Sequence, residues 1–360
     1  MAKSICKLGL IGCGSIATAV HLNILLSLPT VEVVAFAEPN QQRRTSVEQR
    51  VPGAISYTDY KDLLEHPDLD GVVICLPSAM HAEVAIAALQ RGKHIYLEKP
   101  IAISTTEAEA VIAAWQQAKV VGMIGFNYRF NPLYTAAKQV IQSGELGKLV
   151  GARAVFSYPL GTAPSWKQKR ASGGGILLDL ALHDVDLARF LFDADIESVS
   201  TELESHGYED DTAAIQLRLS SGMLIQIFTS MSTIDEARWE IYCQQGKLTA
   251  DRYRETDIEI TSPQRPYSRR NQFGNSIRSS LRALNLKKIL SPTFEPSYQE
   301  ALTRFAAAIQ SGQAVSPDLY DGLKALTVIE AAEASAHTGK AISLSADSVV
   351  AEHCSVTPVV

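Results

Sequence analysis

Short apolar, β-branched runs alternate with helix-period segments along the first 125 residues. The runs are Ile5–Ile11, Val31–Ala37, Gly71–Leu76, His94–Leu97 and Val120–Phe126, and the segments between them include Ala79–Arg91 and Thr105–Lys119. Continuous apolar strands separated by helices predict a parallel sheet covered on both faces, the doubly wound α/β arrangement.

The pattern changes after Asn131-Pro132. A helix-period segment, Leu133–Gln142, runs into the turn Ser143–Gly147, and a strand-like run, Leu149–Tyr158, follows. A second apolar helix is expected over Gly173–Phe192. From Ile196 to Ile260 strand-like runs follow one another with tight turns, among them Ser220-Ser221-Gly222 and Gln244-Gln245-Gly246, which predicts a mainly antiparallel sheet. Helices are expected at Tyr298–Gln310 and Tyr320–His337, and residues after about 345 carry no pattern. The expected organisation is therefore a doubly wound domain over 1–125, a second α/β domain with a large open sheet over 126–345, and a loose tail over 346–360.

At 360 residues, 46% apolar and 20% charged, the chain has the size and composition of two ordinary globular domains. A net charge of −6 argues against a general nucleic-acid or anionic-membrane partner. Five scattered cysteines without a CxxC pair suggest neither a disulfide framework nor a metal site, and they fit a reducing, cytoplasmic setting. No signal peptide and no transmembrane segment are expected. The stretch from Thr261 to Phe294 carries seven Lys and Arg residues and no acidic one, and it reads as a solvated basic insertion.

Three groups of residues change the picture from fold to chemistry. Gly12-Cys13-Gly14-Ser15-Ile16-Ala17 follows the first strand and opens a helix, the G-x-G-x-x-G/A arrangement of a dinucleotide site. Gly12 permits the turn and Gly14 lets the backbone approach a pyrophosphate. Free N–H groups around Ser15 and Ile16 face the anion at the positive end of the helix. Glu38, 24 residues after Gly14, stands where an acidic residue binds the adenosine ribose, which favours NAD. Arg43 leaves NADP open. Leu76, Pro77 and His81 follow the fourth run, and Glu98 and Lys99 end the fifth, at the carboxyl ends of strands where ligands sit in such sheets.

The third group is Gly173-Gly174-Gly175 followed by Asp179 and His183 on an otherwise apolar helix. Four residues apart, the two polar groups share a helix face. An isolated pair of this kind is more often a satisfied core pair than a site; a neighbouring cofactor site tips the balance toward function. Tyr128 and Arg129, just past the sixth run, are further candidates for the substrate pocket.

Together with His81–His94, Glu98-Lys99-Pro100, Asn127–Pro132, Asp321-Gly322 and Ser335–Lys340, these motifs resemble the glucose–fructose oxidoreductase/inositol dehydrogenase/MocA-like family. The resemblance covers most of the chain except the basic insertion and the tail. It implies a Rossmann domain, a second domain with an open antiparallel sheet, and a homo-oligomer, a dimer or tetramer. It implies a catalytic lysine at Lys99, an aspartate at Asp179 and a histidine at His183, with Trp166 near the nicotinamide. One departure is Ala181, where many relatives carry glycine. The implied reaction moves a hydride between NAD(P) and a secondary hydroxyl or ketone of a sugar, polyol or nucleotide sugar. His183 would manage the proton, Lys99 the oxygen and Asp179 the orientation of either. A glycosidase acting by transient oxidation and a non-catalytic dinucleotide sensor are the alternatives.

Overall fold

The structure is a computed structural model, and it describes residues 5–159, 161, 164–254, 257–263 and 295–344. The first sheet has six strands: β1 (Cys6–Ile11), β2 (Val31–Ala37), β3 (Ile55–Tyr57), β4 (Gly71–Ile74), β5 (His94–Leu97) and β6 (Gly122–Ile124). All neighbours pair in parallel, in the order β3-β2-β1-β4-β5-β6. This is the doubly wound order with its switch point between β1 and β4, where such sheets open a crevice for a dinucleotide. Helices cover both faces, so the strands are mostly apolar. Leu8, Leu10, Val73 and Tyr96 point to one core with helix Leu22–Ser27. Ile11, Val72, Ile74 and Leu97 point to the other, with helices His81–Gln90 and Thr105–Ala118. Ser104 starts the latter helix by accepting from the Glu107 N–H.

The second sheet has eight strands: β7 (Leu149–Ser157), β8 (Ile196–Glu204), β9 (Thr212–Leu219), β10 (Leu224–Ser230), β11 (Glu236–Cys243), β12 (Gly246–Asp251), β13 (Glu259–Thr261) and β14 (Ile342–Ser343). Their order is β13-β12-β11-β7-β10-β9-β8-β14. The pairing is antiparallel except at β7–β10, which run parallel. The exception follows from the helix between β7 and β8, which carries the chain across the sheet before the meander begins. One face of this sheet, with Ala154, Phe156, Ile215, Ile227, Trp239 and Ile241, packs on that helix in the same core that reaches the first sheet. The other face alternates to exposed residues such as Gln226 and Phe228.

Several particulars differ from the sequence expectations. The strands β3 and β14 are too short to stand out as apolar runs. The helix expected from Gly173 begins after Gly175 instead. Helix Ser297–Ser311 follows the expected boundary at 125, yet it packs through Ala301, Leu302 and Phe305 on the core of the first sheet. Helix Leu319–Thr338, started by a capping box between Asp318 and Asp321, lies against both β8 and helix Thr105–Ala118. Most of the basic stretch and the tail after 344 lie outside the described residues. Among the described residues no helix is long and apolar enough to cross a membrane.

Candidate active site

The glycine-rich turn closes over the end of β4. Gly12 has φ +85°, and a Cβ there would lie 2.5 Å from the Cys75 carbonyl oxygen, so only glycine fits. A Cβ on Gly14 would meet nothing within 4 Å, which leaves open space above the turn where the backbone can meet a phosphate. The helix after it starts at Ser15 and passes through a π-helical segment, Ala17–His21, before becoming regular. Glu38 directly follows β2 and is buried, and its two carboxylate oxygens accept from the Cys13 and Asn40 backbone N–H groups at 2.9 Å each. The carboxylate thus holds the turn to the second strand. Arg43 is exposed nearby, while Arg44 is turned back on the Glu38 and Pro39 carbonyls. The open turn, the free helix start and the acidic residue at the strand end fit a dinucleotide.

The loops after β4 and β5 meet next to this turn. His81 is buried, with Nδ1 2.5 Å from the Pro100 carbonyl and Nε2 2.9 Å from that of Leu76. Burial holds its ring below the usual imidazole range. Both ring nitrogens lie against backbone carbonyls of the two loops, of which the neutral ring donates to one, so His81 shapes the cofactor side without offering a free nitrogen. Leu76 and Pro77 are half-buried there. Glu98 is turned inward, 2.7 Å from Nε2 of the fully buried His21. That pair joins the glycine-turn helix to the loop carrying Lys99.

Lys99 points to the second domain and donates to both Oδ1 and the carbonyl of Asp179, at 3.0 and 2.5 Å. Asp179 Oδ2 accepts from Lys167 Nζ at 2.8 Å and from the Tyr158 hydroxyl at 3.0 Å. Burial pushes the carboxyl up, but Lys99 and Lys167 outweigh it and hold Asp179 well below the usual carboxylate range. Asp179 sits in a second π-helical segment, Leu177–Ala181, which leads into helix Leu182–Phe192. Such π turns recur at functional sites. His183, in the first turn of that helix, is buried and packs on Tyr128, with ring centroids 4.5 Å apart. Burial, then Lys99, keeps its imidazole well below its ordinary range, so it is neutral. It has no hydrogen-bond partner among the described residues.

The structure thus brings Lys99, Asp179, His183 and Tyr128 together. Arg129 is not drawn into this group. Its guanidinium is buried and spent on Asp186 and Asp321, with Nη2 of Arg129 2.5 Å from Asp186 Oδ1. Two carboxylates on neighbouring helices outcompete an open pocket for its fork of donors. Trp166 is half-buried on the loop before the glycines, with Lys167 Nζ 5.5 Å from its ring centre. The residues that sequence reading missed are Lys167, Tyr158 and His21. Tyr158 follows the carboxyl end of β7, Lys167 adjoins Trp166, and His21 lies one and a half turns into the glycine-turn helix. None of these positions stands out in the sequence, where a tyrosine at a strand end, a lysine in a polar loop and a histidine in a helix are too common to single out. Among the described residues no His, Cys, Asp and Glu cluster could hold a metal ion.

Comparisons with known proteins agree with this fold. Residues 6–126 match the model of an oxidoreductase family with an NAD-binding Rossmann fold, GFO/IDH/MocA, and residues 134–249 match the C-terminal domain of the same family. The chain is 28% identical to an uncharacterised oxidoreductase of Bacillus subtilis strain 168, covering 93% of this chain and 96% of that one. It is 27% identical to the myo-inositol 2-dehydrogenase of Thermotoga maritima, covering 94% and 98%. A solved levoglucosan dehydrogenase in complex with NADH and L-sorbose shares the fold, with a TM-score of 0.79 at 23% identity over 94% of this chain and 99% of that one. The chain belongs to the GFO/IDH/MocA family and is an NAD(P)-dependent oxidoreductase.

Proposed function

We propose that the protein interconverts a secondary hydroxyl and a ketone on a sugar, polyol or nucleotide sugar, with Lys99, Asp179 and His183 as the reacting site. The observation that carries this reading is their convergence beside the loops that flank the glycine turn. A neutral imidazole, an ammonium and a buried carboxylate stand within one polar cluster walled by apolar side chains.

In the cofactor site, the Gly12–Ile16 backbone would hold the pyrophosphate, Glu38 the ribose, and Leu76, Pro77, Glu98 and Trp166 the nicotinamide side, with Arg43 at the ribose edge. Bound NAD(P) supplies the acceptor or donor of a hydride. The chain's own residues handle the rest. The hydroxyl proton passes to the unprotonated nitrogen of His183 as the C–H bond gives up its hydride. Lys99 donates to the substrate oxygen and offsets the negative charge that develops there. Asp179, ionised and held by three donors, orients Lys99 and accepts from a neighbouring substrate hydroxyl. The ketone that forms leaves His183 protonated, and reduction runs through the same groups in reverse. The names of the relatives, an inositol dehydrogenase and a levoglucosan dehydrogenase, support polyhydroxylated substrates.

Following NADH absorbance across a panel of sugars, inositols and nucleotide sugars tests the reading. His183→Ala and Lys99→Ala are each expected to lower turnover about a hundredfold while NADH still binds. Turnover within about threefold of wild type in either variant removes the assigned role.

A homodimer or homotetramer is part of the same proposal, supported by the open face of the second sheet, where Leu224 and Phe228 lie exposed. Cytoplasmic residence is supported by Cys6, Cys13, Cys75 and Cys243, all of them free thiols.

A further inference from the structure

We propose that Lys167 is a positioning residue of the active site: by taking one oxygen of Asp179 it leaves the positive charge of Lys99 in excess for the reacting oxygen. The inference rests on the alcohol–ketone reading above.

One carboxylate is shared between two ammonium groups. Lys99 is 3.0 Å from Oδ1 and Lys167 is 2.8 Å from Oδ2, with the Tyr158 hydroxyl completing Oδ2. The side chains are 14%, 25% and 12% exposed for Lys99, Lys167 and Asp179, so water screens them little. With a single lysine the Asp179–Lys99 pair would be neutral, and its field at a substrate oxygen would be that of a dipole. With two, the cluster carries a surplus positive charge where an alkoxide must develop.

The backbone shows that Lys167 is placed there. It lies on the short turn Ser165–Gln168, in a loop that runs back against the three glycines. A Cβ on Gly174 would sit 2.7 Å from the Lys167 Cα and closer still to its carbonyl. The Lys167 carbonyl in turn accepts from the Gly175 N–H at 3.3 Å, and Lys169 accepts from Gly174 at 3.0 Å. Arg170 anchors the far end of the loop on Glu333 and the Ile103 carbonyl. The glycine run is thus a docking strip for the loop that carries Lys167, and the helix begins only after it.

The charged groups around His183 are Lys99 and Asp179, Lys167 from the docked loop, and Arg252, which lies over the Tyr128 ring. Lys167 is among the groups that hold the imidazole neutral. Its loss makes His183 easier to protonate and moves the acid limb of the oxidation profile to higher pH. A loop anchor without this electrostatic part would leave that limb in place.

The experiment compares wild type with Lys167→Met, Lys167→Gln and Lys167→Arg, reading kcat, KM and the pH profile on a sugar or polyol that wild type oxidises. Lys167→Gln stands in if Lys167→Met fails to fold. The neutral variants are expected to lose about tenfold or more in kcat, with KM for the cofactor within about twofold and the acid limb displaced upward. Lys167→Arg is expected to recover kcat to within about threefold of wild type and to restore the limb. An unchanged kcat or an unmoved acid limb in a folded neutral variant overturns the proposal and leaves the reaction reading intact. Wild type inert toward the whole panel overturns both.

Discussion

The Tyr128 ring lies against the His183 imidazole, with centroids 4.5 Å apart and planes inclined by 33°. Tyr128 comes from the turn after β6 and His183 from the helix that crosses the second sheet, so the contact joins the two halves of the chain. The Arg252 guanidinium also lies over the Tyr128 ring, 4.5 Å from its centroid. The histidine is thus shelved on a ring that also carries a cation.

The shelf is made by the ring and not by the phenol. Tyr128→Phe should keep turnover within about threefold, whereas Tyr128→Ala should lower kcat about tenfold or more by freeing the imidazole. Steady-state rates on the same substrate check this. Equal losses in the two variants would give the work to the hydroxyl instead.

Glu38 makes a prediction about cofactor choice. Its carboxylate binds the glycine turn through Cys13 and stands beside the exposed Arg43. A ribose 2′-phosphate brought there would meet a negative charge, so wild type should prefer NAD over NADP. Glu38→Ser should weaken NAD about tenfold and narrow or reverse the preference, with Arg43 left to face the phosphate. Binding of NADH and NADPH followed by fluorescence decides it. A variant that keeps the wild-type preference would free Glu38 for a purely structural part.

How far the sequence reveals this site depends on the range over which each residue's partner lies. Gly12–Ala17 is local chemistry: the turn, the strand before it and the helix after it can all be read in one window. The parallel sheet follows from alternating runs, and of its six strands only the short β3 escapes. Asp179 and His183 are visible as polar residues in an apolar helix. Their separation suggests one regular helical face, but the π segment at Leu177–Ala181 changes the path between them. Lys167 and Tyr158 are not legible, because each becomes informative only when folding brings it 12 or 21 residues back onto Asp179. Arg129 shows the converse. It looks like a pocket residue beside Tyr128, yet its partners Asp186 and Asp321 are 57 and 192 residues away. Nothing near Arg129 in sequence announces them.

The His21–Glu98 contact makes a prediction about stability. His21 is fully buried, and its other ring nitrogen, Nδ1, has no partner. Tyr96 and Tyr298 meet the ring edge-on. Glu98→Ala leaves a buried imidazole with no acceptor at Nε2 and should cost about 2 kcal/mol or more. Glu98→Gln keeps an oxygen in reach and should cost about 1 kcal/mol or less. Denaturant unfolding measures both. Since Lys99 is the next residue, Glu98→Ala should also lower turnover, and Glu98→Gln should spare most of it.

Asp184 carries the sharpest pH signature. It is buried next to His183 in sequence, where Oδ1 accepts from Trp239 Nε1 at 2.9 Å and Oδ2 has no partner. Burial raises its carboxyl to about 7, against the lowering pull of the Trp239 hydrogen bond and Arg252. In the unfolded chain an aspartate titrates at about 3.9. Between these values the folded protein binds the extra proton, so this group's contribution to stability is full at low pH and is lost as pH rises toward 7. Asp184→Asn keeps the size and an acceptor for Trp239 while removing the titration. The variant should therefore gain on wild type progressively from about pH 4 to pH 7 and hold a constant advantage above that. Matched unfolding curves at pH 5, 6.5 and 8 (approximate settings, chosen to bracket that window) test the sign. A difference that does not change with pH would mean that Asp184 is already ionised in the fold, with Arg252 closer in effect than the tryptophan.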